Sequence, residues 1–386
     1  MKKASILLSS YGLLFFLSLM LNSSSSVMAF ASSPRVIKGG YWPSWRNSEF
    51  PPSSIDSKLF THIYYSFLSP NSQTYKFEID SSTASSLLTF TSTLHSKNPP
   101  LKTLYSIGGG AADPAFYARM ASDPSSRRTF ILSSIETARK YGFDGIDLDW
   151  EFPRDAQEME YFSSLISDWR SEVQREAQLT RRAPILLTAA VYFSNSFFLA
   201  SPIRSYPVSS INRNLDWVNA MCYDFAGSWD TSATGAHAAL FAANSNISTS
   251  YGLGSWIRAG IMRSKLVMGM PLYGKSWTLK DPNVNGIGAP AVDVGPSRPG
   301  ERGILFYYEI EEYISRNNRT VVVFDEKTVS TYAVDGTAWI GYDDSRSVRG
   351  KVRYAKALGI RGYFFWALSY DQNWKISTAA SRSWVR

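Results

Sequence analysis

Cysteine is almost absent from this chain, which has a single one, Cys222, among 386 residues. A disulfide framework is therefore excluded, and stability must come from the burial of a hydrophobic core. Histidine is nearly as scarce, and His62, His95 and His237 share no zinc-ligand spacing. The sequence predicts neither a metal site nor a cofactor.

Long runs of one charge are missing as well. Lys and Arg outnumber Asp and Glu by 40 to 32, a net charge of +8, but these cations are scattered along the chain. Scattered cations do not form the basic patch that nucleic-acid binding requires, so we expect no nucleic-acid partner. A mild positive balance favours solubility and a loose attraction to acidic polysaccharides.

A long apolar stretch occupies residues 6–21, after Lys2 and Lys3 and before a Ser-rich segment that ends in Ala29-Phe30-Ala31. This order is typical of a secretory signal peptide. Polar residues interrupt the stretch and no charged stop-transfer flank follows, so we expect no membrane anchor. The sequence predicts a signal peptide over 1–31 and one domain over 32–386, in a protein that is secreted or carried to the vacuole.

Two tripeptides in the predicted mature chain match the acceptor pattern for N-glycosylation. They begin at Asn246 and Asn318. On a secretory route both are candidate glycosylation sites.

Aromatic residues are abundant, at 15% of the chain, and such rings build cores and line sugar-binding clefts. Eight short apolar or aromatic runs recur, most of them separated by helical patterns or loops. They are 36–42, 60–68, 102–108, 142–150, 185–193, 215–225, 265–273 and 359–368. This repetition predicts an α/β fold, a parallel (β/α)₈ barrel. The wider gap before the eighth run predicts a small α+β insertion over about 276–340.

Helix boundaries are legible at two places. After Asp155, apolar residues recur at helical spacing from Met159 to Val173, and after Asp344 they recur from Val348 until Gly359 interrupts the pattern. Asp is a favourable first residue and Gly a favourable stop, so a helix is predicted after each Asp.

Three acids alternate along the fourth run, which reads DGIDLDWEFP from Asp144. Strand alternation places Asp147, Asp149 and Glu151 on one face, toward the barrel interior, and the apolar residues on the other. Buried carboxyls must be protonated, paired or solvated, so stability does not explain them. Chemistry in barrels occurs at the carboxyl ends of strands, which makes Glu151, the last of the three, a candidate general acid.

Other interpretations of the three acids remain open at this point. The acids could lie at an exposed strand end, or they could form a Mg²⁺ or Ca²⁺ site. Carboxyls two residues apart on a strand are about 6 to 7 Å apart at the backbone, which also permits Asp149 to be a direct nucleophile.

The run DGIDLDWEFP resembles the signature of glycoside hydrolase family 18, the chitinases. Further matches lie in barrel order: Gly40-Tyr41-Trp42 on the first run, SIGGG on the third, MCYD on the sixth, PLYG on the seventh and Trp366 on the eighth. Six ordered matches are far more specific than one acidic motif. The similarity extends over about residues 36–384 and is greatest to plant class V chitinases.

The resemblance implies a substrate-assisted, retaining mechanism. Glu151 would be the general acid and base, and the substrate's N-acetyl oxygen would be the nucleophile that forms an oxazolinium ion. Asp149 would orient the acetamido group, Asp147 would share a proton with Asp149, and Tyr223 would donate to the acetamido carbonyl.

Six further residues are expected to bind substrate. The resemblance implies that Trp366 is the floor under the distorted sugar and that Asp224 contacts the sugar. Tyr41, Phe67 and Tyr273 lie at predicted strand ends, and Met221 begins the sixth-strand motif. Trp229 and Trp277 are possible sugar platforms or ordinary packing residues. The turn after the sixth motif, Phe-Ala-Gly-Ser-Trp-Asp, departs from the bulkier turn of the plant enzymes.

Three functions fit these observations. The main hypothesis is a secreted, monomeric, endo-acting hydrolase of β-1,4-linked N-acetylglucosamine polymers, with chitin or chitooligosaccharides as its partners. A non-catalytic chitin-binding lectin on the same barrel is the second. Hydrolysis of a lipochitooligosaccharide signal is the third. The presence of Asp147, Asp149, Glu151 and Tyr223 together favours an enzyme over a lectin.

Overall fold

The computed structural model describes residues 36–385, and the predicted signal peptide lies outside them. Eight parallel strands form a closed barrel in the order β1-β14-β7-β6-β5-β4-β3-β2. The barrel strands are β1 (Ile37–Pro43), β2 (His62–Leu68), β3 (Lys102–Gly108), β4 (Gly145–Asp149), β5 (Leu186–Tyr192), β6 (Trp217–Met221), β7 (Leu266–Pro271) and β14 (Gly362–Trp366). The predicted (β/α)₈ barrel is confirmed.

Helices pack around the barrel, and all of them except the last one, which follows the final barrel strand, connect barrel strands. They are α1 (Ser81–His95), α2 (Pro114–Ser122), α3 (Pro124–Lys140), α4 (Ala156–Thr180), α5 (Val208–Asn214), α6 (Thr249–Arg258), α8 (Ser345–Ala357) and α9 (Lys375–Val385). Both predicted helix starts are confirmed, since Asp155 caps α4 and Asp344 caps α8 through their side chains. None of the helices within residues 36–385 has the length and hydropathy needed to cross a membrane.

The insertion between β7 and β14 is slightly longer than predicted. It is an antiparallel sheet with one helix, and its strand order is β10-β8-β13-β12-β11, with β9 beside β8. Its elements are β8 (Tyr273–Leu279), β9 (Ala291–Val294), β10 (Ile304–Phe306), α7 (Tyr307–Arg316), β11 (Val321–Asp325), β12 (Ser330–Asp335) and β13 (Ala338–Tyr342). The expected bounds of 276–340 therefore become 273–342.

The core follows the strand alternation predicted for β4. Ile146, Leu148 and Trp150 are at most 1% exposed and belong to the large apolar cluster that the helices share with the barrel. Cys222 lies in the same cluster, where burial raises the pKa of its thiol to about 12. It is an inert core residue, as its alternation with Tyr223 predicts.

Several residues lie beyond the strands on which the sequence placed them. Strand β4 ends at Asp149, so Glu151 occupies the bend that follows, and β6 ends at Met221, before Tyr223 and Asp224. Tyr273 begins β8 of the insertion instead of ending β7. Apolar side chains continue past each last ladder hydrogen bond, which is why the periodicity overestimates strand length.

Candidate active site

A cavity of about 840 Å³ opens at the carboxyl ends of the barrel strands. This is the end at which barrel enzymes carry their chemistry. Nine of the ten predicted site residues line the cavity: Tyr41, Phe67, Asp149, Glu151, Met221, Tyr223, Asp224, Tyr273 and Trp366. The tenth, Asp147, lies fully buried one alternation earlier on β4.

Asp147 accepts hydrogen bonds from three hydroxyl groups. Tyr41 and Ser106 each donate to Oδ2 at 2.8 Å, and Thr188 donates to Oδ1 at 2.5 Å. The strand register explains the arrangement, since Ser106 on β3 and Thr188 on β5 are the direct neighbours of Asp147 in the ladder. Burial raises the pKa of Asp147, while these three donors act in the opposite direction. Proton sharing with Asp149 remains a prediction.

Asp149 has a very different environment. Its Oδ1 atom is buried and has no hydrogen-bond partner among the described residues. Burial, followed by the charges of Glu151 and Asp147, raises the pKa of Asp149 well above its usual range. An unpaired buried acceptor beside a cavity is a place where a ligand donor can bind.

Glu151 stands above Asp149 at the mouth of the cavity. Burial raises its pKa to about 7, and the charge of Asp224 contributes in the same direction. A carboxyl with this pKa holds its proton for a large part of the time near neutral pH, as a general acid must. Gly110 lies beside it, since a Cβ added at that glycine would be 3.5 Å from Oε1 of Glu151, an ordinary van der Waals distance.

The SIGGG motif explains how the chain passes so near the acids. Gly108 has a φ of +113°, and an added Cβ would lie 2.1 Å from the carbonyl oxygen of Asp149. The amide of Gly109 donates to that same oxygen at 2.8 Å. Only glycine allows this approach, so the motif fixes the end of β4.

Asp224 is the centre of a polar group on one wall. Tyr273 donates to its Oδ1 atom at 2.8 Å, and Nζ of Lys275 is 3.0 Å from the same atom. His237 lies beneath, with Nδ1 at 3.9 Å, and burial lowers the pKa of His237 to about 3. The imidazole is therefore neutral, and Lys275 is the cation that offsets Asp224. Sequence reasoning missed Lys275, although it follows the PLYG motif directly.

Tyr223 lies between the acids and this wall, packed edge-on to Tyr273 with ring centroids 6.3 Å apart. Burial, followed by the charges of Asp149 and Glu151, raises the pKa of Tyr223 well above its usual value. Its hydroxyl therefore keeps its proton and is available as a hydrogen-bond donor.

Aromatic rings form the floor of the cavity. Trp366 lies 5.7 Å from Phe67 in a stacked arrangement and 5.6 Å from Tyr41, measured between ring centroids. Trp45 extends this surface, 6.4 Å from both Phe67 and Trp366, and its ring is 59% exposed. Sequence reasoning missed Trp45, for which the signal was a tryptophan three residues beyond the first-strand motif.

The two tryptophans considered as sugar platforms differ in their exposure to solvent. Trp229 is 63% exposed and lines the cavity, and Nζ of Lys275 lies 5.3 Å from its ring centre. Gly227 permits this position, because a Cβ there would lie 2.5 Å from the Trp229 ring. Trp277 is fully buried within the insertion, so for it the packing interpretation is correct. The unusual turn after β6 thus presents one tryptophan to the cleft.

Asn246 and Asn318 are both exposed and neither lines the cavity, although Asn246 directly precedes Ile247, which does. Exposure is compatible with glycosylation of either side chain, which stays a prediction. Within residues 36–385, His, Cys, Asp and Glu form no group of three or more suited to hold a metal ion.

A closed parallel barrel with layered carboxyls, a polar wall and an aromatic floor defines a barrel hydrolase that acts on carbohydrate by acid chemistry. The profile of glycosyl hydrolases family 18 matches residues 38–371. Nod factor hydrolase protein 1 of Medicago truncatula is 52% identical over 353 residues, which cover 90% of this chain and 90% of that protein.

Two solved structures show the same fold. A mutant class V chitinase from Nicotiana tobaccum, in complex with NAG4, has a TM-score of 0.86 at 42% identity, covering 91% of this chain and 99% of that chain. The chitinase-like agglutinin of Robinia pseudoacacia has a TM-score of 0.82 at 41% identity, covering 90% of this chain and 99% of that chain. The chain belongs to glycosyl hydrolases family 18 and is a glycoside hydrolase of the chitinase type.

Proposed function

We propose that this protein hydrolyses β-1,4-linked N-acetylglucosamine polymers and oligomers, cutting within the chain and with net retention at the anomeric carbon. The observation that carries the proposal is the pair formed by Glu151 and Asp149. One carboxyl at the mouth has its pKa raised to about 7, and below it Oδ1 of Asp149 is buried without a partner. We expect the acetamido N–H of the substrate to supply the missing donor.

In the first half-reaction Glu151 gives its proton to the glycosidic oxygen, and the bond from that oxygen to the anomeric carbon breaks. The substrate's N-acetyl oxygen bonds to the same carbon, which gives an oxazolinium ion. Tyr223 donates to the acetamido carbonyl and holds it in line for this attack. The positive charge that develops lowers the pKa of Asp149, which favours its carboxylate at that stage.

In the second half-reaction Glu151 is a carboxylate and acts as a base. It takes a proton from a water molecule, whose oxygen attacks the anomeric carbon and opens the oxazolinium ring. Glu151 is then protonated again for the next cycle. Trp366 supports the reacting sugar from below, and Asp224, held by Tyr273 and Lys275, contacts the sugar from the side.

A second candidate substrate is a lipochitooligosaccharide. The 52% identity to a Nod factor hydrolase is compatible with it. One side of the cavity also carries the apolar residues Phe193, Leu199, Phe225 and Ile247, and Leu199 is 61% exposed. An acyl chain would cover this apolar wall and gain the free energy of its burial.

The test is a paired assay of wild-type protein and Glu151→Gln. Chitooligosaccharide hydrolysis should fall by about 10³- to 10⁴-fold or more, because one residue serves both half-reactions. Calorimetric binding of the same oligomers should change less than about tenfold, since the size of the side chain is preserved. Glu160→Gln, an exposed residue on α4, is the matched control and should retain full activity.

Each alternative has its own outcome in this assay. Binding without hydrolysis by the wild type would make the protein a lectin, and more than a tenth of normal turnover in Glu151→Gln would remove Glu151 as the acid. Cleavage of deacetylated oligomers would favour Asp149 as a direct nucleophile. A preference for tetramers that carry a long fatty acyl chain over fully N-acetylated tetramers would establish a lipochitooligosaccharide as the substrate. The products released from oligomers of defined length test whether the enzyme cuts within the chain.

A further inference from the structure

A groove of about 320 Å³ lies between α8 and α9, outside the barrel. It shares no lining residue with the catalytic cavity. Four of its lining residues are cations: Arg349 and Arg353 from α8, and Lys375 and Arg382 from α9. The proposed function gives this groove no role.

Helical geometry arranges these cations in two rows. Arg349 and Arg353 are four residues apart, so they project from one face of α8. Lys375 and Arg382 are seven residues apart, or about 10 Å along α9, and also share a face. Both rows line the same groove, so positive charge is distributed along its length on both sides.

Most of this charge has no acidic partner. Lys375 pairs with Glu311 at 2.5 Å, but among the described residues Arg349, Arg353 and Arg382 form no ion pair. The one hydrogen bond from the side chain of Arg349 goes to the carbonyl of Ser345. Like charges one helical turn apart destabilise a helix, so packing alone does not favour this arrangement.

The rest of the groove is polar and small. Ser345, Thr378 and Ser383 provide hydroxyl groups, and Ala379 is the one apolar lining residue. No aromatic ring lines the groove, so it offers no surface on which a neutral sugar or a nucleobase can stack. It also lacks the large apolar side chains by which a protein surface enters a membrane interface.

We propose that this groove binds a linear acidic polysaccharide whose sugars carry carboxylates. Each arginine can hold a carboxylate through two parallel N–H···O bonds, and successive carboxylates along a chain match the two rows of cations. The hydroxyl groups in the groove can bond to the sugar hydroxyls. Binding here leaves the catalytic cavity open, so the enzyme can be held on an acidic matrix while it cleaves a different polymer.

The experiment compares the binding of polygalacturonate to wild type and to the triple variant Arg349→Gln, Arg353→Gln, Arg382→Gln. We expect affinity to fall at least tenfold at low salt. The control, Lys280→Gln, Arg319→Gln, Lys327→Gln, removes three exposed cations outside the groove, and its affinity should change less than twofold. Both variants should hydrolyse chitooligosaccharides at the wild-type rate, which verifies their folding.

A variant with lysine at the same three positions keeps the charge and loses the paired hydrogen bonds. Its affinity should lie between those of the wild type and the glutamine variant. Equal losses in the glutamine variant and the control would overturn the proposal, because net charge alone would then explain binding. Binding of inositol hexakisphosphate or of anionic vesicles without binding of polygalacturonate would also overturn it, in favour of a compact phosphate or a membrane.

Discussion

Two aspartates two residues apart on one strand have opposite surroundings. Three hydroxyl groups satisfy the carboxyl of Asp147, whereas Oδ1 of Asp149 has no partner in the part of the chain that the structure describes. The difference arises from the neighbouring strands. Ser106 on β3 and Thr188 on β5 pair with Asp147, whereas the residue of β3 that pairs with Asp149 is Gly108. Asp147 is therefore held in place by its hydrogen bonds, whereas Asp149 keeps an acceptor atom that a substrate can use.

The raised pKa of Glu151 has a consequence for stability. Its folded pKa is about 7 against an ordinary 4.5, so between these values the folded protein binds more protons than the unfolded chain and loses stability as pH rises. Glu151→Gln does not ionise and should escape this loss. We expect the variant to gain about 1–3 kcal/mol relative to wild type between pH 5 and pH 8.

Denaturant unfolding of both proteins at the two pH values measures this difference. Glu160→Gln, the surface control, should follow the wild type at both. A constant difference between Glu151→Gln and wild type across this range would show that Glu151 has an ordinary pKa in the folded protein.

At the scale of elements, the helix α8 depends on a cap that the sequence predicts. Asp344 accepts hydrogen bonds from the amides of Arg346 and Ser347 at 2.7 and 2.9 Å. The amide of Asp344 in turn donates to Oγ of Ser347 at 3.0 Å, which completes a capping box. The cap fixes where the helix begins after β13. It therefore also fixes the register of the cationic row on α8.

Asp344→Ala should lower the free energy of unfolding by about 1 kcal/mol, because two helix amides lose their acceptor. Asp344→Asn keeps an oxygen in place and should lose much less. Denaturant titration of the three proteins makes the comparison. Equal losses for Asp344→Ala and Asp344→Asn would show that the charge of Asp344, and not its capping hydrogen bonds, stabilises the helix.

At the scale of the whole molecule, the described residues 36–385 belong to one compact unit, and the family match begins at residue 38. We propose that residues 1–31 are a signal peptide and that the protein is secreted. Expression through a eukaryotic secretory pathway should give a mature chain that begins near Ser32. Mass spectrometry of the amino terminus checks this, and a secreted chain that still begins at Met1 would contradict it.

The sequence by itself determined the order of the barrel strands, the helix starts at Asp155 and Asp344, and nine of the residues that line the cavity. These features are local, since alternation, capping and short motifs depend on neighbours along the chain. The sequence predicted strand ends less well, since Glu151, Tyr223 and Tyr273 all lie beyond the strands on which it placed them. An apolar side chain does not reveal whether its backbone still has a hydrogen-bonded partner in the sheet.

Only the tertiary structure decided which residues meet across the barrel. Ser106 and Thr188 are 41 residues from Asp147 in either direction, and Tyr41 is 106 away, yet all three bond to its carboxyl. Three further contacts also join residues that are distant along the chain. They are the ion pair of Lys275 with Asp224, the packing of Trp45 near Trp366, and the groove that Arg353 and Arg382 both line. Such contacts depend on strand register and helix packing, which no local pattern encodes. The sequence located the candidate acids, and the closure of the barrel determined their surroundings.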